Sequence, residues 1–121
     1  MRILILEDNQ ERIEFFKRIF KNHELIICEL IFSAQEIVQQ EEFDIMFLDH
    51  DLYKDNIRGI ELEITGYDFV KFLVKSNLQK HSLIYIHSMN PTGANAMQNL
   101  LRDNGYEVLW IPFHLLKLED R

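Results

Sequence analysis

Phe43-Asp44-Ile45-Met46-Phe47-Leu48-Asp49-His50-Asp51 passes from apolar to ionisable in a single step. Its first part, Asp44–Leu48, is nearly all apolar and reads as a strand buried on both faces. Asp49 is the residue with which that strand leaves the core, and His50 and Asp51 follow it outward.

The same unit recurs on either side. Ile3-Leu4-Ile5-Leu6 is a continuous apolar run ending in Glu7-Asp8-Asn9, and Ile13, Phe16, Ile19 and Phe20 follow at helical spacing. Glu24–Phe32 reads as a second strand, and Ser33-Ala34-Gln35-Glu36, which has the form of a capping box, predicts a short second helix near 34–41. After the third strand comes a long polar connection, 50–65. Thr65 caps a third helix over Gly66–Ser76, with Phe69, Phe72 and Leu73 inward. Ser82–Ile86 is a fourth strand. Pro91–Asn104 is a fourth helix with Asn90 as cap, Pro91 at its first position and Gly105 as terminator. Glu107–Ile111 predicts a fifth strand and Phe113–Lys117 a short last helix. Five apolar strands alternating with helices imply a five-stranded parallel sheet covered on both faces, a three-layer α/β sandwich of flavodoxin-like type.

Composition bounds the rest. A chain of 121 residues and 14.6 kDa fits one domain, 1–121, and its 47% hydrophobic residues can fill a core without staples. A net charge of −7 repels DNA, RNA and anionic lipid over most of the surface, which disfavours duplex binding and membrane association but leaves room for a local anion site. Cys28 is the single cysteine, and no Cys/His cluster has zinc-finger spacing. The run Ile3–Leu6 is too brief for a signal peptide or a membrane span, so a cytoplasmic setting is expected.

In an open parallel sheet the ligand site lies outside the carboxyl ends of the strands, where their order switches. Strand one ends in Glu7-Asp8, strand three in Asp49-His50-Asp51, and strand four in His87-Ser88-Met89-Asn90. Glu7, Asp8 and Asp51 taken singly read more readily as solvated loop residues or helix caps. Gathered at one sheet edge they repel, and a hard divalent cation with oxygen ligands, Mg²⁺ or Mn²⁺, is the usual remedy. Asp8 and Asp49 are the expected direct ligands, Glu7 a water-mediated or supporting one, and Asp51 a further oxygen donor. His50 and His87 are candidates for proton transfer or ligation. Ser88, Asn90 and the first amides of helix four suit an anion, a reading compatible with plain capping. Lys54 and Arg58, in the 50–65 connection, are the only cations close in sequence to this site and are candidates for phosphate binding. Cys28 reads as a buried apolar residue, and Lys17, Arg18 and Lys21 as a solvated helix face.

The pattern resembles the receiver domain of two-component response regulators over almost the whole chain. The residues that carry the likeness are Glu7-Asp8, the run Phe43–Asp49, Thr65-Gly66-Tyr67 at the start of helix three, and Ser88. The resemblance implies that Asp49 accepts phosphate, that Glu7 and Asp8 hold Mg²⁺, and that the Ser88 hydroxyl contacts the phosphoryl group. Receivers also carry a Lys before the Pro-Phe of strand five, and here Ile111 precedes Pro112-Phe113. Leu48-Asp49-His50-Asp51-Leu52, Thr65-Gly66-Tyr67-Asp68 and Ile86-His87-Ser88-Met89-Asn90-Pro91 look like the cyclic-phosphate-processing receiver-like family, an offshoot of receivers held to act on nucleotide or RNA cyclic phosphates.

The first function expected from these residues is a divalent-metal-dependent phosphoesterase acting on a phosphorylated small molecule, a nucleotide or an RNA end. Asp8 and Asp49 hold the metal, His50 and His87 handle protons, and Asp49 either attacks phosphorus or only ligates. A second expectation is a stand-alone receiver phosphorylated on Asp49, with no output domain after Arg121 and a protein partner on helix four and strand five. A third is a pseudo-receiver that binds without chemistry.

Overall fold

The computed structural model describes residues 1–52, 55–57, 60–62 and 64–119, with 55–57, 60–62 and 117–119 described in backbone only. Its elements, in chain order, are β1 (Arg2–Leu6), α1 (Gln10–Ile19), β2 (Glu24–Cys28), α2 (Ile31–Gln40), β3 (Ile45–Leu48), β4 (Asp55–Ile57) and β5 (Ile60–Leu62). There follow α3 (Gly66–Ser76), β6 (Leu83–Ile86), α4 (Pro91–Asp103), β7 (Glu107–Trp110) and α5 (Phe113–Glu119).

Five strands form one parallel sheet in the order β2-β1-β3-β6-β7, the flavodoxin-like arrangement expected from the alternation of apolar runs and helices. Side chains alternate across it. Ile3 and Ile5 pack with Phe15, Phe16, Phe47 and Phe113 on the face covered by α1 and α5. Leu4 and Leu6 join Ala34, Phe69, Leu73 and Met97 under α2, α3 and α4. Ile3, Leu4, Ile5 and Leu6 are all fully buried, and each such side chain contributes roughly 1.5–3 kcal/mol of burial. This two-sided burial is why the strands carry no polar alternation.

Local signals bound α3 and α4 where expected, and a further cap opens α1. Asn90 Oδ1 accepts the Gly93 N–H at 3.1 Å, Pro91 fills the first turn of α4, and Gly105 leaves it at φ +83°. Thr65 N–H donates to Asp68 Oδ2 at 2.8 Å to open α3. In α1, Asn9 Oδ1 accepts the Arg12 N–H at 3.1 Å.

Two expectations are corrected. Helix α2 opens at Ile31, with Leu30 as cap, rather than after Ser33, and β2 ends at Cys28 rather than Phe32. Ile31 is buried in the α2–α4 core while Ser33 is exposed, so packing of the first turn, and not side-chain capping, sets this start. The 50–65 connection is not wholly irregular either: β4 and β5 pair antiparallel within it. Its sequence signal was two short runs separated by two residues, one a glycine.

Candidate functional site

Glu7, Asp49 and His87 each come one residue after a strand, and each still takes a place in the sheet's hydrogen-bond ladder. Glu7 N–H donates to Cys28 O at 3.0 Å, Asp49 N–H to Leu6 O at 3.1 Å, and His87 N–H to Leu48 O at 3.1 Å. Because Leu6, Leu48 and Ile86 are in register, the next residues form a second row, Glu7, Asp49, His87, facing α1 and α5. Ile111 extends that row beyond His87, its N–H donating to Ile86 O at 2.9 Å.

The row is dry. Glu7 and His87 are fully buried and Asp49 is 2% exposed. His87 Nε2 donates to Glu7 Oε1 at 2.9 Å, and the other oxygen of Glu7 accepts the N–H groups of Asp8 (3.0 Å) and Asn9 (3.2 Å). The imidazole is walled by Phe16, with ring centroids 5.2 Å apart, and by Phe47 and Phe113. Its Nδ1 is buried with no hydrogen-bond partner among the described residues. Asp49 Oδ1 accepts the His50 N–H at 2.9 Å.

Burial pushes the Asp49 carboxyl up to about 6, assisted by the charge of Glu7 and opposed by His87, the His50 N–H and Arg12. Burial also acts upward on Glu7. There the hydrogen bond and charge of His87, the Asn9 N–H and Arg12 prevail and hold its carboxyl below the usual range.

Above the row lies a cavity of about 300 Å³ whose lining includes Glu7, Asp8, Asp49, Asp51, Arg12 and Met89. The four expected acids therefore converge. One donor atom each from Glu7, Asp49 and His87 lies within 4.8 Å of the others. Carboxylate oxygens on a cavity floor suit a hard cation, and His87 holds the Glu7 carboxylate in place.

Other expected residues take different places. His50 Nδ1 lies 2.9 Å from Asp51 Oδ1, and its ring lies against the start of α4, where a Cβ on Gly93 would come within 2.4 Å of it. Asn90 Nδ2 approaches the same Asp51 oxygen at 3.4 Å. The α4 amide at Gly93 is taken by the Asn90 cap, the capping role expected beside anion binding for this helix start. Ser88 is buried, its Oγ accepts the Asn90 N–H at 3.0 Å, and His87, not Ser88, is the residue level with Asp49. Lys54 and Arg58 lie outside the described residues.

Among the described residues a different cation reaches the site. Arg12 Nη1 lies 3.6 Å from both Glu7 Oε1 and Asp49 Oδ2, with its Cζ 5.2 Å from the centre of the Phe113 ring. Sequence reasoning passed over it. The signal was there in its position: Arg12 stands in the first turn of a helix that begins directly after Glu7-Asp8-Asn9, and helical side chains lean back toward the N-terminus.

The sequence pattern of the family described as "Cyclic-phosphate processing Receiver domain" matches residues 2–103. Among solved structures, the response regulator receiver domain (CheY-like) from Methylobacillus flagellatus is similar with a TM-score of 0.69 and 18% identity, over 99% of this chain and 93% of that one. The signal receiver domain of a putative LuxO repressor protein from Vibrio parahaemolyticus gives 0.68 and 16%, over 98% and 84%. The Mn²⁺-bound form of response regulator Rcp1 gives 0.68 and 18%, over 97% and 87%. At these identities the likeness is one of fold. No curated protein matches the sequence significantly. No helix among the described residues is long and apolar enough to cross a membrane.

Proposed function

This chain belongs to the cyclic-phosphate processing receiver domain family, and from that premise we propose that it is a divalent-metal-dependent phosphoesterase that opens cyclic phosphates of nucleotides or RNA ends. The observation that carries the reading is the buried row Glu7, Asp49, His87, whose donor atoms gather within 4.8 Å on the floor of an acid-lined cavity.

Glu7, Asp8 and Asp49 supply oxygens suited to Mg²⁺ or Mn²⁺, which when bound would neutralise their charge and draw electrons from phosphorus. His87 holds Glu7 in place through Nε2. In ring opening, water oxygen bonds to phosphorus, one ring P–O bond breaks, and the freed alkoxide takes a proton to leave an acyclic monoester. That proton is assigned to His50, partly exposed and paired through Nδ1 with Asp51, whose same oxygen accepts from Asn90 Nδ2. Asp49 serves either as base toward water or as nucleophile toward phosphorus. Acid quench during turnover followed by mass spectrometry separates these, since direct attack passes through a phosphoryl ester on the Asp49 carboxyl group and the base route does not.

A metal-supplemented screen of 2′,3′-cyclic, 3′,5′-cyclic and linear nucleotides alongside acetyl phosphate tests the function. Catalytic turnover of a cyclic class is expected. A second reading, a receiver phosphorylated on Asp49 with a partner docking on α4 and β7, is favoured by the receiver fold and by Asp49 at the end of the central strand. Stoichiometric aspartyl phosphate from acetyl phosphate, with no nucleotide turned over, would establish it in place of the first.

A further inference from the structure

We propose that Arg12 is the phosphate-binding residue of this site, reaching from α1 to the position for which β7 supplies no cation; the proposal rests on the phosphoesterase reading. The row that begins Glu7, Asp49, His87 continues with Ile111, which packs on the apolar α1–α5 cluster and brings no charge. Of the described residues lining the cavity, Arg12 is the one Lys or Arg, set among Glu7, Asp8, Asp49 and Asp51. A phosphate group entering this field needs a positive partner in addition to a metal ion.

The geometry of Arg12 suits that task. Its Nη1 is equidistant from Glu7 and Asp49, and at 3.6 Å it is outside hydrogen-bonding distance of either, so these two contacts do not commit the guanidinium's donors. The Phe113 ring beneath Cζ supports the guanidinium plane, which leaves its N–H edge for acceptors. The side chain is 28% exposed, at the boundary between the buried row and the cavity. Once a divalent cation neutralises Glu7 and Asp49, their attraction for Arg12 weakens. A fork of N–H donors is then free for two phosphoryl oxygens.

Calorimetric titration tests the assignment with Mn²⁺ alone and then with inorganic phosphate added to the Mn²⁺-loaded protein, using native chain, Arg12→Gln and Arg12→Lys, each checked for folding by thermal melting. Arg12→Gln should bind Mn²⁺ as tightly as native or severalfold tighter, because a positive neighbour is gone, and should bind phosphate more than about tenfold more weakly. Arg12→Lys, which keeps the charge and loses the planar fork, should fall between, and it carries the test alone if Arg12→Gln does not fold. Phosphate affinity in the variants within about threefold of native overturns the proposal, as does loss of Mn²⁺ binding in parallel with phosphate, which would make Arg12 a clamp for the carboxylates. Native protein that binds Mn²⁺ but no phosphate refutes the role of Arg12 and leaves the metal site standing. Native protein that binds neither refutes the phosphoesterase reading, and this proposal with it.

Discussion

His87 Nε2 donates to Glu7 Oε1 at 2.9 Å across the full width of β3, and neither side chain is exposed to solvent. The bond ties β6 to β1 directly above Asp49 and gives a buried carboxylate its partner. It holds the His87 ring within the α1–α5 core, against Phe16, Phe47 and Phe113.

Substituting His87 should therefore cost stability first. His87→Ala removes the partner of a buried carboxylate and opens a cavity among Phe16, Phe47 and Phe113, a loss of about 3–5 kcal/mol. Thermal melting should show a drop on the order of 10 °C, with His87→Gln, which keeps a donor, losing less than half as much. A melting point for His87→Ala within about 3 °C of native would mean that the pair carries little of the fold.

The raised Asp49 carboxyl sets the sign of a pH dependence. In the unfolded chain the group titrates near 3.8 and in the folded, metal-free chain at about 6, so the folded state binds the proton more tightly. That preference stabilises the fold fully below about pH 4 and is lost as pH rises through about 6. Asp49→Asn, neutral throughout, should exceed native stability at pH 7.5 by up to roughly 3 kcal/mol and by little at pH 4. Urea denaturation at the two pH values measures both gaps; a larger gain at pH 4 would contradict the assignment.

A bound cation reverses that penalty. Millimolar Mg²⁺ or Mn²⁺ should raise the melting point of the native chain, by about 2.7 kcal/mol in stability at a hundredfold excess over Kd. The effect should fade below pH 6, where the proton competes for Asp49. An Asp8→Asn plus Asp49→Asn variant should show no such rise, and an equal rise would remove the site from the carboxylates.

Two glycines around His50 should respond differently to the same substitution. A Cβ on Gly66 would lie 1.9 Å from the carbonyl oxygen of Asp49, so the turn that places Asp49 must move. Gly66→Ala should lose about 1–3 kcal/mol or more together with activity. The three atoms nearest a Cβ on Gly93 all belong to the His50 ring, a side chain that can rotate where backbone cannot. Gly93→Ala should retain most stability and lose turnover on the best substrate. Comparable melting losses in both variants would show that the His50 ring is as fixed as backbone.

What the sequence determined by itself is local. The apolar runs at 3–6, 45–48 and 83–86 specify buried strands because a strand covered on both faces has no polar position to spare, and Asn90-Pro91 and Gly105 bound α4 because caps act within one turn. The acids at the strand ends were legible for the same reason: a charge cannot stay inside such a run. Tertiary structure decided which of these residues meet. That Glu7, Asp49 and His87 share a row, while Ser88 closes on its own loop and Ile111 takes the next place, follows from the register of β1, β3, β6 and β7. A uniformly apolar strand does not reveal which face any residue takes. The start of α2 at Ile31 and the reach of Arg12 to the two carboxylates depend likewise on packing between elements. Such contacts join residues up to 80 positions apart, as Glu7 and His87 are, and the energy that selects them exists only once the sheet has brought their strands side by side.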